Sequence, residues 1–194
     1  MAAGYNVTLR NNRLDQITTR AGNAALLRIY DGTRPATGGA ATTLLAELVC
    51  ATPFAGAASA GVLTVTNPTQ DSSANATGTA TWGRVVQSDG TTHVADFNVG
   101  MQVTTTISGS SAAATITVGS ATGLSVGMSV SGTGIATGAL IVNISGTTVT
   151  LSINNTGAVS GNGTFGHDMN LVNTSIVATQ PISVTSWTIT EGNA

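Results

Sequence analysis

Apolar residues recur at every second position along most of this chain. Leu140, Val142 and Ile144 keep that spacing, and Val149, Leu151 and Ile153 resume it after Ser145-Gly146. Side chains two apart on a strand share a face. The pattern therefore predicts a hairpin with six aliphatic groups on one side and Thr148, Thr150 and Ser152 on the other. The same rhythm predicts strands over 25–30, 44–51, 61–66, 114–118 and 128–131. Asp31-Gly32 stops the first and Asn67-Pro68 the third. Segments 79–87 and 92–99 flank Ser88-Asp89-Gly90, and Asp-Gly suits the positive φ of a tight hairpin turn. The last region, 176–191, changes phase between Ile182/Val184 and Trp187/Ile189, which predicts a bulge near Thr185-Ser186.

Only residues 11–22 read as helix. Asn11 or Asn12 is the expected N-cap, Leu14 and Ile17 lie three apart on one face, and Gly22 closes the last turn. The predicted fold class is all-β, a β-sandwich or barrel with a short N-terminal helix or arm and an inserted small β domain. The boundaries follow from charge. From Asn98 to Gly166 there is no charged residue, and Asp168 ends the gap. Residues 101–167 are expected to form a β module inserted in a loop of a main β domain, 1–100 plus 168–194, whose first 24 residues are the arm and helix. An insertion costs little entropy where its ends lie close together.

Composition sharpens this picture. Across 194 residues, 41% are hydrophobic, 4% aromatic and 7% charged. A disordered chain is usually rich in charge and poor in apolar groups, so this one should fold, with a core of many small side chains. The six basic residues are all arginine, Arg10, Arg13, Arg20, Arg28, Arg34 and Arg84, and the net charge is −2. No basic stripe is available to displace counterions from nucleic acid or to hold an anionic membrane surface. No apolar run approaches the ~20 residues that span a bilayer. The start of the chain has no basic region followed by an apolar core, so no secretory leader is expected. A lone Cys50 in an apolar stretch reads as a small buried hydrophobe, and one cysteine builds no disulfide framework.

Candidate chemistry is sparse. Residues 161–166 match G-x-G-x-x-G, but no helix is predicted after them, so a glycine-rich loop is the reading. His93, Asp96, His167 and Asp168 would approach one another if the module leaves and returns at neighbouring points. Two imidazoles and two carboxylates suit a divalent metal; the alternative is polar groups at the junction. The expectation is no resident metal, no cofactor and no catalytic site. Trp82 and Trp187 are expected as core anchors.

Three runs carry a resemblance. Residues 20–67, RAGNAALLRIYDGTRPATGGAATTLLAELVCATPFAGAASAGVLTVTN, the run TGTATWGRVVQSDGTTHVADFNVG, and the closing ISVTSWTITEGN together resemble head-decoration (cement) proteins of tailed bacteriophages. The stretch ITVGSATGLSVGMSVSGTGIATGALIVNISGTTVTLS resembles a Gly/Ser/Thr-rich β module common in phage structural proteins. The resemblance implies a non-enzymatic virion structural protein on the capsid exterior, made in the bacterial host cytoplasm. Its implied partners are the major capsid protein and itself, as a trimer or dimer, with neither nucleic acid nor membrane. Arg10, Arg13, Arg20 and Arg34 are the expected capsid contacts, because arginine forms bidentate pairs with carboxylates. The N-terminal arm and the loops 33–43 and 68–78 are further candidates. The alternatives are a tail or fibre component, or a virion-displayed carbohydrate- or host-adhesive module.

Overall fold

A computed structural model describes residues 5–36 and 38–191. Among these residues, one helix, α1 (Val7–Ala21), precedes fifteen strands. These are β1 (Leu26–Tyr30), β2 (Leu44–Val49), β3 (Val62–Thr64), β4 (Gly78–Thr79), β5 (Trp82–Val86), β6 (His93–Gly100), β7 (Val103–Ser108) and β8 (Thr115–Val118). They continue with β9 (Ser129–Thr133), β10 (Ile141–Ser145), β11 (Thr148–Leu151), β12 (Ser160–Gly166), β13 (Met169–Leu171), β14 (Ser175–Ile176) and β15 (Val184–Thr190). The chain is all-β with one short helix, as its alternation predicts.

The helix begins four residues earlier than the sequence suggests. Asn6 is the N-cap, its side chain accepting from Thr8 N at 2.8 Å. Asn11 lies inside the helix, and its Oδ1 accepts from Gly61 N at 2.8 Å. Asp15 Oδ1 likewise accepts from Ala58 N at 2.7 Å. These two side chains tie α1 to the 56–61 loop while Leu14 and Ala21 enter the core. Gly22 ends the helix at φ 70, with its N–H bonded to Thr18 O.

A seven-stranded sheet runs β2-β1-β5-β6-β13-β15-β3. Its core holds Leu27, Ile29, Leu45, Phe54, Leu63, Met169 and Trp187. The outer side of β2 is covered by the 67–76 segment, where Thr69 N donates to Val49 O at 2.9 Å and Asn75 N to Leu45 O at 2.8 Å. The same segment exchanges bonds between Asp71 and Ile182. This leaves little unpaired backbone to nucleate aggregation.

A six-stranded sheet, β10-β11-β8-β7-β12-β9, has its own core of Ile107, Ile116, Val130, Ile141, Val149, Leu151 and Phe165. It curls on itself. Val130 N donates to Ala139 O at 2.9 Å and Ile141 N to Met128 O at 2.9 Å, so the outermost strands meet. All six strands fall between β6 and β13, which lie side by side in parallel through Met169↔Val99 and Asn170↔Gly100. The chain thus enters and leaves this curled sheet at one place.

The 140–153 hairpin forms around Ser145-Gly146, but only half of its expected face holds. Val149 and Leu151 are buried, whereas on β10 the register shifts between Ile141 and Asn143. The irregularity turns Ile141 inward and leaves Val142 49% exposed. The bulge near Thr185-Ser186 is present: Asn170 faces Ser186 and Leu171 faces Val184, so Thr185 is skipped.

Candidate functional site

The polar residues singled out at the junction form two separate pairs. The first is built on β5 and β6, where Arg84 and Asp96 are cross-strand partners. Asp96 accepts from Arg84 Nε at 2.7 Å, from Arg84 Nη2 at 2.9 Å and from Gly38 N at 3.3 Å. His93 Nε2 lies 3.2 Å from Asp96 Oδ1 without the alignment of a hydrogen bond. Burial works to raise the Asp96 carboxyl, but the hydrogen bonds from Arg84 and Gly38 and the charges of Arg84 and His93 hold it below its ordinary value. An acceptor so fully engaged by a guanidinium has little left for a metal ion.

The second pair, His167-Asp168, sits between β12 and β13. The His167 ring lies against Gly100, where a Cβ would stand 2.0 Å from its Cδ2. Asp168 Oδ2 accepts from Asn98 N at 3.1 Å. Burial pushes the His167 imidazole down against the opposing pull of Asp168. Burial also pushes the Asp168 carboxyl up, against Asn98 N–H and the charges of Arg34 and His167. The pair lines a cavity of about 270 Å³ with Thr81, Asn98 and the loop Ser125-Val126-Gly127. Among the described residues, no three His, Cys, Asp or Glu side chains come together in a way that would hold a metal ion.

The arginines expected as contacts are largely engaged within the chain. Arg10 Nη1 donates to Glu191 O at 2.9 Å, and Arg13 Nη1 pairs with Glu191 Oε1 at 2.5 Å. Arg34 Nη1 donates to Asp96 O at 3.2 Å. Arg20 is exposed in the last turn of α1 and gives its backbone carbonyl to Gln87 Nε2. Loop 68–78 is largely committed to the edge of β2, as described above. Thr42 and Thr43, in the other loop, bond back to Asp31.

Residues 161–166 form part of β12, a strand paired on both sides, and among the described residues no helix follows them. That arrangement does not match a dinucleotide fingerprint. Cys50 is buried, and burial pushes its thiol up to about 12. Trp82 and Trp187 are both buried to within 1%.

One feature carries no motif because it is built from ordinary hydroxyl groups. On β15, Trp187 points into the core, so Ser186, Thr188 and Thr190 point outward. On β9 and β12, Val130 and Phe165 point inward, so Ser129, Ser131 and Thr164 point outward. These two outward rows line one cleft of about 420 Å³ between the two sheets. The only sequence signal for it is the polar half of the alternation, which looks like any solvated face. Compared with protein-family models, curated proteins and solved structures, the chain matches none of them.

Proposed function

We propose that this chain is a virion structural protein that binds the outer surface of an assembled phage capsid and stabilises it. The reading rests on the resemblance of the three quoted runs to head-decoration proteins. The observation that supports it best is how the surface charge is used. Arg10, Arg13, Arg28, Arg34 and Arg84 all bond within the chain. What remains outside is mostly neutral small side chains on sheets with covered edges. Such a surface attaches by shape and apolar contact more than by charge. The start of α1 offers contact area of that kind: Tyr5, Val7 and Leu9 are each more than two-fifths exposed.

Binding of this kind needs no reaction chemistry. A subunit that bridges capsomers of the expanded shell and not of its precursor stabilises that shell by mass action. Repetition over the lattice, with a dimer or trimer of the decoration protein, adds avidity. Each contact would bury on the order of 1,000–2,000 Å². The test is to mix purified protein with expanded heads that lack it and with unexpanded precursors. Added density on the outside of expanded heads by electron microscopy, with a raised temperature of head disruption, is the expected outcome. Expanded heads left bare at saturating protein would refute the reading.

A further inference from the structure

We propose that the cleft between the β9/β12 face and β15 is a binding site for a short neutral saccharide. Two rows of hydroxyls confront each other there, Ser129, Ser131 and Thr164 on one wall and Ser186, Thr188 and Thr190 on the other. Among the described residues, no ionisable side chain lines the cleft. An anionic or cationic ligand would therefore find no counter-charge. A wholly apolar ligand would strand the hydroxyls that it covered. An extended peptide would need a free strand edge, but β9 is paired with β12 and bridged to Leu140, and β15 lies between β13 and β3. What remains is a ligand read through side-chain hydroxyls, and a sugar hydroxyl both donates and accepts.

The walls are prepared for that exchange. Ser186 Oγ accepts from Asn170 Nδ2 at 3.1 Å, which leaves its own O–H free to donate into the cleft. Ser129 Oγ donates to Gly166 O at 3.1 Å, which leaves its lone pairs to accept. Among the described residues, the hydroxyls of Ser131, Thr164, Thr188 and Thr190 have no hydrogen bond within the chain, so four further groups are available. Asn170 is 3% exposed and also bonds His167 N and O, so it pins the exit from the curled sheet to β15. The two walls are thereby fixed relative to each other, which lowers the ordering cost of binding. Val62 and Ile135 add apolar surface for the C–H face of a pyranose ring. The volume falls within the usual range for small-molecule sites. This site stands apart from the capsid reading, and either holds without the other.

The experiment uses the isolated full chain, with no capsid present. Amide NMR spectra are recorded while cellobiose, maltose, lactose and chitobiose are each added, up to about 20 mM, a range that reports weak single-site binding. At least one of the four is expected to give saturable shifts confined to the strands named above. The Ser131→Ala/Thr188→Val double variant should weaken that binding about tenfold while leaving the spectrum elsewhere unchanged. Should that variant fold poorly, Thr164→Val, at an outward strand position, serves in its place. Absence of saturable cleft shifts with all four sugars overturns the proposal, as does undiminished binding by a folded variant.

Discussion

Arg84 and Asp96 meet across β5 and β6 as a two-pronged ion pair, with side chains only 12% and 6% exposed. The guanidinium also donates to Gly39 O at 2.9 Å and lies 5.2 Å from the Trp82 ring centroid. One pair thus joins a central strand pair, the 31–43 loop and an aromatic stack. Removing either partner leaves a largely buried charge without compensation, at a cost of about 3–5 kcal/mol. Arg84→Ala and Asp96→Ala should each lower the unfolding free energy from urea melts by that order, and Arg84→Met with Asp96→Leu should recover much of the loss. The folded Asp96 carboxyl titrates below its unfolded value. Its contribution is therefore present above the unfolded value near 3.8 and is lost as pH falls through the folded one. If the single variants unfold at the wild-type midpoint, the pair has no structural role.

The two tryptophans are equally buried but differ in how their N–H groups are satisfied. Trp82 stacks on Tyr30 at 4.4 Å, and its Nε1 donates to Asp31 O at 2.8 Å and to Thr42 Oγ1 at 3.2 Å. Trp187 packs edge-on against Phe54 and Phe97, and its Nε1 has no acceptor among the described residues. Phenylalanine at either site leaves a cavity, but only at Trp82 does it also break hydrogen bonds. At Trp187 it removes an unsatisfied donor. Trp82→Phe is expected to cost about 1–3 kcal/mol more than Trp187→Phe in denaturant melts. Equal losses would show that the Trp82 bonds contribute nothing.

Much of this architecture is legible in the sequence alone. Asp89-Gly90 marks its hairpin because positive φ is cheap there, and Gly90 has φ 70. The Thr185 bulge is visible as a change of phase. What is not legible depends on distant partners. Asn11 looks like a cap until Gly61 is known to sit over it. Val142 looks like core until the β10 irregularity turns it out. Whether His93 and Asp96 approach His167 and Asp168 depends on the same distant partners, and Arg84 occupies the Asp96 carboxylate instead. The hydroxyl cleft is hidden for the same reason: no sequence rule says which polar face meets another polar face.

Cys50 offers a direct reading of how often the main core opens. The thiol is 4% exposed and burial holds it far up the scale. Only the thiolate reacts with disulfide reagents, so the folded chain should be inert at neutral pH. Modification by Ellman's reagent is expected to follow the unfolding rate and to become rapid only in denaturant. Fast, stoichiometric labelling of the native chain would contradict the burial described above.

His167 and Asp168 should reveal their shared environment by titration. Burial lowers the folded imidazole below the ordinary 6.5. Between those two values the unfolded chain binds more protons, so stability should fall as pH drops through that window. Asp168 has the opposite sign: its folded carboxyl titrates above 3.8, so its contribution is present at lower pH and is lost as pH rises through the folded value. The charges that bear on the pair are their own and that of Arg34. Asp168→Asn removes the charge that supports the imidazolium, so the His167 NMR titration should move further down. Gly100→Ala should do the reverse. The new Cβ would stand 2.0 Å from Cδ2, so the ring must leave its place against the backbone and titrate closer to 6.5. A His167 midpoint at or above the ordinary value in the wild type, or one unmoved by either substitution, would mean that the ring does not lie buried on Gly100.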